Sequence, residues 1–346
     1  LLKRYRYIVE WYIDNRQIEN GEFGGGISDD TDLINRFPGL YYCGVIPEKV
    51  RNSVHKFMDA IVREGTLTYG LSTIQTDGLH TYEEGGNTLC HINCTETGNP
   101  EQAELLMKSL KSLREHVLGI NEAGHLHFRS DYFSATEIAL EWPWCWSSFR
   151  EIIHLGPGLL LGEFYGNKGA QEIILQFADS LLEHKRYKDG KVQLPMEICF
   201  TTDEERMWGL KYMGALFCYA YHWTGDEKYL EIYKESKFKG KEITKEEMVV
   251  LGRKELKSIE QFEYINTEGS VWTDRLRFEV DLIQESRLGG IAMNRTEHMV
   301  PLNLVGWKFE NDSDAENIAI LFGKKERDDF SIDFYNKSRK AVTVKM

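Results

Sequence analysis

The chain has 346 residues, of which 42% are hydrophobic and 12% aromatic; this excludes a mainly disordered protein and suggests about two domains. Its net charge of −13 argues against general binding to nucleic acid or to an anionic lipid surface. No apolar run in the sequence approaches the roughly 20 residues of a membrane span.

In chain order, the first predicted element is a helix over residues 2–18, with apolar residues on nearly all sides. A loop over residues 20–32 follows, in which Glu22, Asp29, Asp30 and Asp32 surround three consecutive glycines. One of these acids suffices to cap the next predicted helix, over residues 30–43, which Pro38 should break. The remaining acids indicate a functional site, with a solvated acidic loop as the alternative.

The next segments alternate between helical patterns and small turns. Helices are predicted over residues 50–62, 87–95, 100–117, 167–182 and 244–262, with a short hairpin at 125–128. Residues 141–146 should lead a helix to about 165, and the acids of residues 201–205 should begin a helix that carries Trp208 and Met213. Turns that begin at Gly44, Gly98, Gly166 and Gly225 recur about every sixty residues, a spacing typical of stacked αα-hairpins.

The C-terminal part has a different pattern. Short β-branched or aromatic segments at residues 276–280, 304–309, 318–322, 330–335 and 341–345 predict antiparallel strands. The predicted fold class is therefore an α+β multidomain protein. An α/α toroid over residues 1–265 is followed by an antiparallel β-sandwich over residues 266–346. The chain opens on Leu1 inside a helical pattern and stops at Met346 inside a strand-like one, so both ends are expected to be cut.

Six scattered cysteines lie mostly among apolar neighbours and are predicted to be buried free thiols. Cys90, His91 and Cys94 resemble half of a zinc site, but a second pair of ligands at a matching spacing is missing. No metal and no other cofactor is therefore expected.

The toroid hypothesis predicts where the chemistry lies. Inner helices of a closed ring run in the same direction, so residues 22–32, 80–87, 141–146 and 203–208, which lead them, should share one face. These segments concentrate acids, histidine and tryptophan. Because indole rings stack on sugar faces and carboxylates bind hydroxyls and transfer protons, the pattern favours a sugar ligand.

The segments WYIDNRQIENGEFGGGISDDTDL at residues 11–33 and HTYEEGGN at residues 80–87, with a toroid before a β-sandwich, resemble carbohydrate-active enzymes of gut-type bacteria. These include α/α-toroid glycoside hydrolases and polysaccharide lyases of the heparinase and alginate-lyase kind. The resemblance implies a cleft across the ring face and an oligo- or polysaccharide substrate. It also implies a periplasmic or secreted protein, whose signal segment would lie upstream.

Two chemistries compete. A hydrolase needs two carboxyls, about 5–5.5 Å apart for retention and ~6.5–9.5 Å for inversion; the candidates are Asp30 (or Asp29), Glu84 (or Glu83) and Glu141. A lyase needs a base, here His80 or Tyr82, and a group that neutralises a uronate, here Asn87, Arg129 or Arg206. The abundance of acids favours hydrolysis, because carboxylates repel a uronate.

Further residues are predicted to bind the substrate: Glu22, Asp29, Asp32, Asn87, Trp142, Trp144, Trp146, Arg206 and Trp208. Structural roles compete with these assignments, since acids such as Glu83 and Glu84 are favoured in a first helical turn. A third hypothesis is a glycan-binding protein without catalysis.

Overall fold

The computed structural model describes residues 2–24, 27, 30–34, 37–42, 44–93, 95–96, 98–238, 308–310, 318–326, 329–336 and 340–345. The chain forms two compact units, of which the first comprises Leu1–Glu64 with Glu263–Met346 and the second Gly65–Phe262. The predicted domain boundary after residue 265, the helix over residues 244–262 and the strand over residues 276–280 lie outside the described residues.

The described residues form helices and short strands, mostly in alternating groups. The helices are α1 (Leu2–Asn15), α2 (Asp30–Ile34), α3 (Pro38–Tyr42), α4 (Pro47–Arg63), α5 (Gly78–Thr81), α6 (Asn87–Ile92), α7 (Pro100–Ser112), α8 (Gly156–Phe164), α9 (Lys168–Glu183), α10 (Gly214–Thr224) and α11 (Glu227–Phe238). The strands are β1 (Leu67–Thr68), β2 (Leu71–Ser72), β3 (Thr76–Asp77), β4 (Leu118–Ile120), β5 (Leu126–Phe128), β6 (Tyr132–Phe133), β7 (Trp146–Ser148), β8 (Arg186–Lys188), β9 (Lys191–Cys199), β10 (Glu205–Gly209), β11 (Lys308–Phe309), β12 (Ile318–Glu326), β13 (Asp329–Asn336) and β14 (Val344–Lys345). Single π-helical turns over Tyr82–Gly86 and Leu113–Val117 and a 3₁₀ helix over Phe149–Leu155 complete the set.

Local sequence signals explain the helices of the first unit. The predicted break at Pro38 is confirmed, because α2 ends at Ile34 and Pro38 begins α3, where a missing N–H costs nothing. Helix α4 buries most of its predicted apolar stripe, including Val50, Val54 and Phe57. Val62, also assigned to that stripe, is exposed.

Buried and amphipathic helices alternate in the second unit. Helix α8 packs against α9, and α10 packs against α11. In both pairs the first helix is buried along most of its length, while the second has one buried face and one polar face. This is the alternation that the sixty-residue repeat predicts for those two pairs. Closure of such pairs into a toroid stays a prediction.

All strand pairs of the described residues are antiparallel. In the second unit, β9 is central to a sheet in the order β10-β9-β7 and also pairs with β8, while β3 pairs with β6 and β4 with β5. The β4–β5 pair confirms the hairpin predicted near residues 125–128. In the first unit, β12 pairs with β13 and β11 with β14, at four of the five predicted strand positions. A sandwich remains a prediction.

Two predicted helix starts are wrong. Residues 191–199 and 205–209 form strands joined by a turn, and the following helix begins only at Gly214. Residues 141–145 form a turn, and β7 and the 3₁₀ helix intervene before α8 begins at Gly156. Ser, Thr and Asp satisfy backbone groups in turns as well as at helix starts, so the local sequence does not distinguish the two.

Four cysteines, Cys90, Cys145, Cys199 and Cys218, are free and buried, as predicted. In the part of the chain that the structure describes, no helix is both long and apolar enough to cross a membrane.

Candidate functional site

A pocket of about 600 Å³ opens in the second unit beside β6. Its wall includes the loop that follows β6. This loop folds back on the strand, so that Ile138 forms an isolated antiparallel β-bridge with Phe133. The amide of Ala139 also donates to the carbonyl of Tyr132 at 3.0 Å. The Ser134 hydroxyl accepts from the amides of Thr136 and Glu137. The pocket is lined by Gln75, His116, Tyr132, Thr136, Glu137, Ile138, Ala139, Glu141 and Trp144.

Two stacked aromatic rings form part of this pocket. The rings of Tyr132 and Trp144 lie 4.5 Å apart at an interplanar angle of 30°. Backbone hydrogen bonds fix them, since the amide of Asp131 donates to the carbonyl of Trp144 at 2.9 Å and the amide of Trp144 donates to the carbonyl of Glu141 at 2.8 Å. The pair presents a rigid apolar surface of the kind that stacks on the C–H face of a sugar ring.

Polar groups stand around this aromatic surface. Glu137 and Glu141 are both exposed, so the pocket combines two carboxylates with the stacked rings. His116 adds a ring nitrogen, Nε2, that is buried and has no hydrogen-bond partner among the described residues. Among the residues that line the pocket there is no lysine or arginine. This arrangement suits a neutral, hydroxyl-rich ligand better than an anionic one.

Two carboxyl groups, on Glu151 and Asp131, interact close to the pocket wall; Glu151 is fully buried and Asp131 is half-buried. Burial, and next the hydrogen bond with Asp131, raise the pKa of Glu151 well above its ordinary value and so favour its protonated form. Its oxygens accept from the amide and the hydroxyl of Ser148, which it caps. Asp131, immediately before Tyr132, accepts from the amide of Gly78 at 3.2 Å. The pair therefore links β6 with the start of α5 and the 3₁₀ helix.

The predicted tryptophans have different surroundings. Trp142 is 78% exposed, whereas Trp144 belongs to the pocket. Trp146 lies on β7, where the guanidinium of Arg206 from β10 sits 4.0 Å from its ring centroid. Trp208, also on β10, is covered in the same way by Arg186 at 3.3 Å. Arg206 and Trp208 thus belong to a sheet, and the prediction that they lie one turn into a helix is wrong.

The segment around α5 contains both predicted bases. His80 is exposed, and its Nδ1 lies 2.5 Å from the carboxylate of Asp77. Tyr82 is buried, with its ring edge-on to His154. Glu84 is half-buried within the π-helical turn. Asn87 is fully buried and accepts from the amide of Thr88, which is a structural contact at the start of α6.

The glycine-acid loop belongs to the first unit. Asp30 begins α2, is buried, and accepts from the amide of Phe23 at 2.6 Å, so this carboxylate organises the loop. Glu22 is buried. Asp29 and the side chain of Asp32 lie outside the described part of the chain. Within the second unit, the structure therefore brings Glu141 and Trp144 into one pocket, and Trp146 and Arg206 into one contact.

A separate group of side chains, the histidine cluster, comprises His125, His127, His184 and Asp203. The four potential ligand atoms all lie within 4.8 Å of one another. Burial is the main reason that the pKa of His127 falls to about 3. None of the four was predicted as a metal ligand. The one local signal is His-x-His at 125–127, since residues two apart along an extended chain share a face.

Comparison with known proteins identifies no relative: no family model, curated protein or solved structure matches this chain.

Proposed function

We propose that this chain is a glycan-degrading enzyme, most specifically a glycoside hydrolase that acts in the pocket beside β6. The observation that carries the proposal is the stacked Tyr132–Trp144 pair in a pocket that also holds Glu137 and Glu141. The aromatic surface is suited to a sugar ring, and hydrolysis requires two carboxyl groups next to the scissile bond.

In this proposal Trp144 and Tyr132 position the sugar, and Glu141 and Glu137 serve as the carboxyl pair. One carboxyl of such a pair donates a proton to the leaving group, and the other acts as the nucleophile or the base. His116 completes the polar lining of the pocket. The sequence predicts Asp30 and Glu84 as candidate partners of Glu141; in this proposal the partner is Glu137.

The pocket's charge supports hydrolysis over β-elimination. A lyase has to neutralise the carboxylate of a uronate, and no lysine or arginine is among the residues that line this pocket. Of the predicted lyase bases, Tyr82 is 3% exposed and is therefore poorly placed to take a proton from a bound substrate.

The test is a digest of a glycan panel, followed by a reducing-sugar assay and by the ultraviolet absorbance of unsaturated uronates. New reducing ends without the ultraviolet rise are expected, and Glu141→Gln should lower turnover by about 100-fold or more. Glu104→Gln, on the exposed face of α7, is the matched control and should keep full activity. A matching ultraviolet rise would establish a lyase. Binding that requires Trp144 without any turnover would establish a glycan-binding protein.

A further inference from the structure

The histidine cluster joins three elements that are far apart in the chain. His125 and His127 belong to the second half of the β4–β5 hairpin, His184 is the C-cap of α9, and Asp203 lies in the turn between β9 and β10. His127 and His184 are almost fully buried, with side chains 1% and 4% exposed. His125 and Asp203 are 22% and 23% exposed, so one side of the cluster is open to solvent.

Four spacings between potential ligand atoms lie near those expected around a tetrahedral ion, in a cluster whose ligand atoms all lie within 4.8 Å of one another. Zinc binds histidine nitrogen and carboxylate oxygen at about 2.0–2.2 Å, which places neighbouring ligand atoms of a tetrahedron about 3.3–3.6 Å apart. From Oδ1 of Asp203 the distances are 3.3 Å to Nδ1 of His125, 3.8 Å to Nε2 of His127 and 3.6 Å to Nε2 of His184. The two Nε2 atoms lie 3.0 Å from each other. These four distances lie on both sides of the tetrahedral range.

Neighbouring groups orient the ligands. Nδ1 of His184 lies 2.6 Å from Oε1 of Glu205 and must donate to it, because a carboxylate only accepts. The lone pair of His184 is consequently on Nε2, which faces the cluster. Asn121 donates a hydrogen bond to Oδ1 of Asp203. A carboxylate behind a ligating histidine is the usual outer shell of a protein metal site.

The backbone around the cluster is also constrained. Asp203 has φ of 59°, a left-handed conformation that aspartate in a turn adopts more readily than most residues other than glycine. The hydroxyl of Ser180, on α9, accepts from the amide of Leu126 at 2.8 Å. This hydrogen bond attaches β5, which carries His127, to the helix that ends next to His184.

We propose that His125, His127, His184 and Asp203 bind one zinc ion, which ties the β4–β5 hairpin, the end of α9 and the β9–β10 turn together. Three imidazoles and one carboxylate suit zinc among the common divalent ions, and four protein ligands make a closed, structural site. The metal-free alternative is a hydrogen-bonded network, in which His127 donates from Nε2 to His184 and His125 donates to Asp203. Zinc binding at this site is independent of glycan turnover in the pocket.

In the test, metal is first removed from the full chain and from its variants with a chelator. Zinc or cobalt is then added, and the metal retained by each protein is compared. One zinc per chain should survive desalting, and cobalt added instead should give the strong visible absorption of a tetrahedral ion. Glu205→Gln should weaken zinc binding about 10–100-fold. Glu204→Gln is the matched control, since this neighbour is exposed and lies outside the cluster.

Asp203→Asn removes the charged ligand and should lower zinc affinity at least as much as Glu205→Gln. If that variant fails to fold, as judged by circular dichroism, His125→Gln at the half-exposed position replaces it and should show the same loss. A wild-type chain that retains no zinc and gives no cobalt band would overturn the proposal in favour of the hydrogen-bonded network. Equal zinc retention by the wild type and both ligand variants would overturn it as well.

Discussion

His154 should make the stability of this protein depend on pH in a measurable way. The residue lies in the 3₁₀ helix, is 4% exposed, and donates from Nε2 to the carbonyl of Gly78 at 2.7 Å. The rings of Tyr82 and Phe133 pack against it at 5.4 and 5.1 Å. Burial lowers the pKa of His154 to about 4, so the folded protein holds this imidazole neutral.

The size of the effect on the free energy of unfolding follows from the difference between the pKa values of His154 in the folded and unfolded states. The unfolded chain binds the proton at the ordinary histidine pKa of about 6.5, and the gap down to about 4 corresponds to about 3 kcal/mol. Since the unfolded state takes up the proton first, this stability is complete above about pH 6.5 and is lost as the pH falls towards 4. Within that window the free energy of unfolding should change by about 1.4 kcal/mol per pH unit.

The perturbation is His154→Gln, which retains an amide donor for the Gly78 carbonyl but cannot be protonated in this range. Urea unfolding at several pH values between about 7.5 and 4.5 should show a slope shallower by about 1.4 kcal/mol per pH unit. His91, whose pKa burial also lowers to about 4, adds a slope of the same sign that the variant keeps. The difference between the two proteins therefore isolates His154 even if the variant is less stable throughout.

Tyr82→Phe is the matched control, because it alters a ring packed against His154 and removes no group that titrates between pH 4 and 7. It should change the free energy of unfolding by a constant and leave its pH slope intact. A His154→Gln variant with the wild-type slope would refute the reasoning, as would an equal loss of slope in Tyr82→Phe.

Three further predictions concern the same unit. Glu151→Gln should gain stability relative to the wild type as the pH rises above the ordinary carboxyl pKa of about 4.5, because the unfolded wild type releases the Glu151 proton there while the raised pKa keeps it bound in the folded state. A difference in the free energy of unfolding that stays constant with pH, measured with urea, would contradict this. Gly70→Ala should cost about 2–3 kcal/mol or more, since φ is +77° and a Cβ would lie 2.4 Å from the amide nitrogen of Ser109. Gly190→Ala, with φ of +72° and open space around it, should lower the free energy of unfolding by only about 1–2 kcal/mol. Thermal melts of both glycine variants measure the two losses. Trp144→Ala should weaken binding of the glycan that the panel identifies by about 10-fold, whereas Trp144→Phe should retain part of the affinity. Calorimetry measures both affinities. Equal affinities of both variants and the wild type would exclude the Tyr132–Trp144 surface as a sugar site.

Features set by short-range patterns were predictable from the sequence. The apolar stripe of α4, the buried face of α9 and the break at Pro38 all follow from helical periodicity or from the missing amide of proline. The buried state of the four described cysteines follows from their apolar neighbours. Tryptophan and glutamate in residues 141–146 were recognised as candidate ligand residues, and Glu141 and Trp144 do line a pocket.

Other features depended on contacts between residues distant in the chain. Pairing of β9 with β10 and β7 overrode the helical signature of residues 201–205, and it placed Arg206 over Trp146. The histidine cluster likewise exists only because a hairpin, a helix end and a turn meet, across separations of up to 78 residues for the contact of His125 with Asp203. The sequence by itself determined amphipathic helices such as α4 and α9, because each turn of such a helix is stabilised by residues three and four apart. The tertiary structure alone decided the strand partners and the convergence of His125, His127, His184 and Asp203, because strand pairing depends on complementary packing of distant segments and leaves almost no local signal.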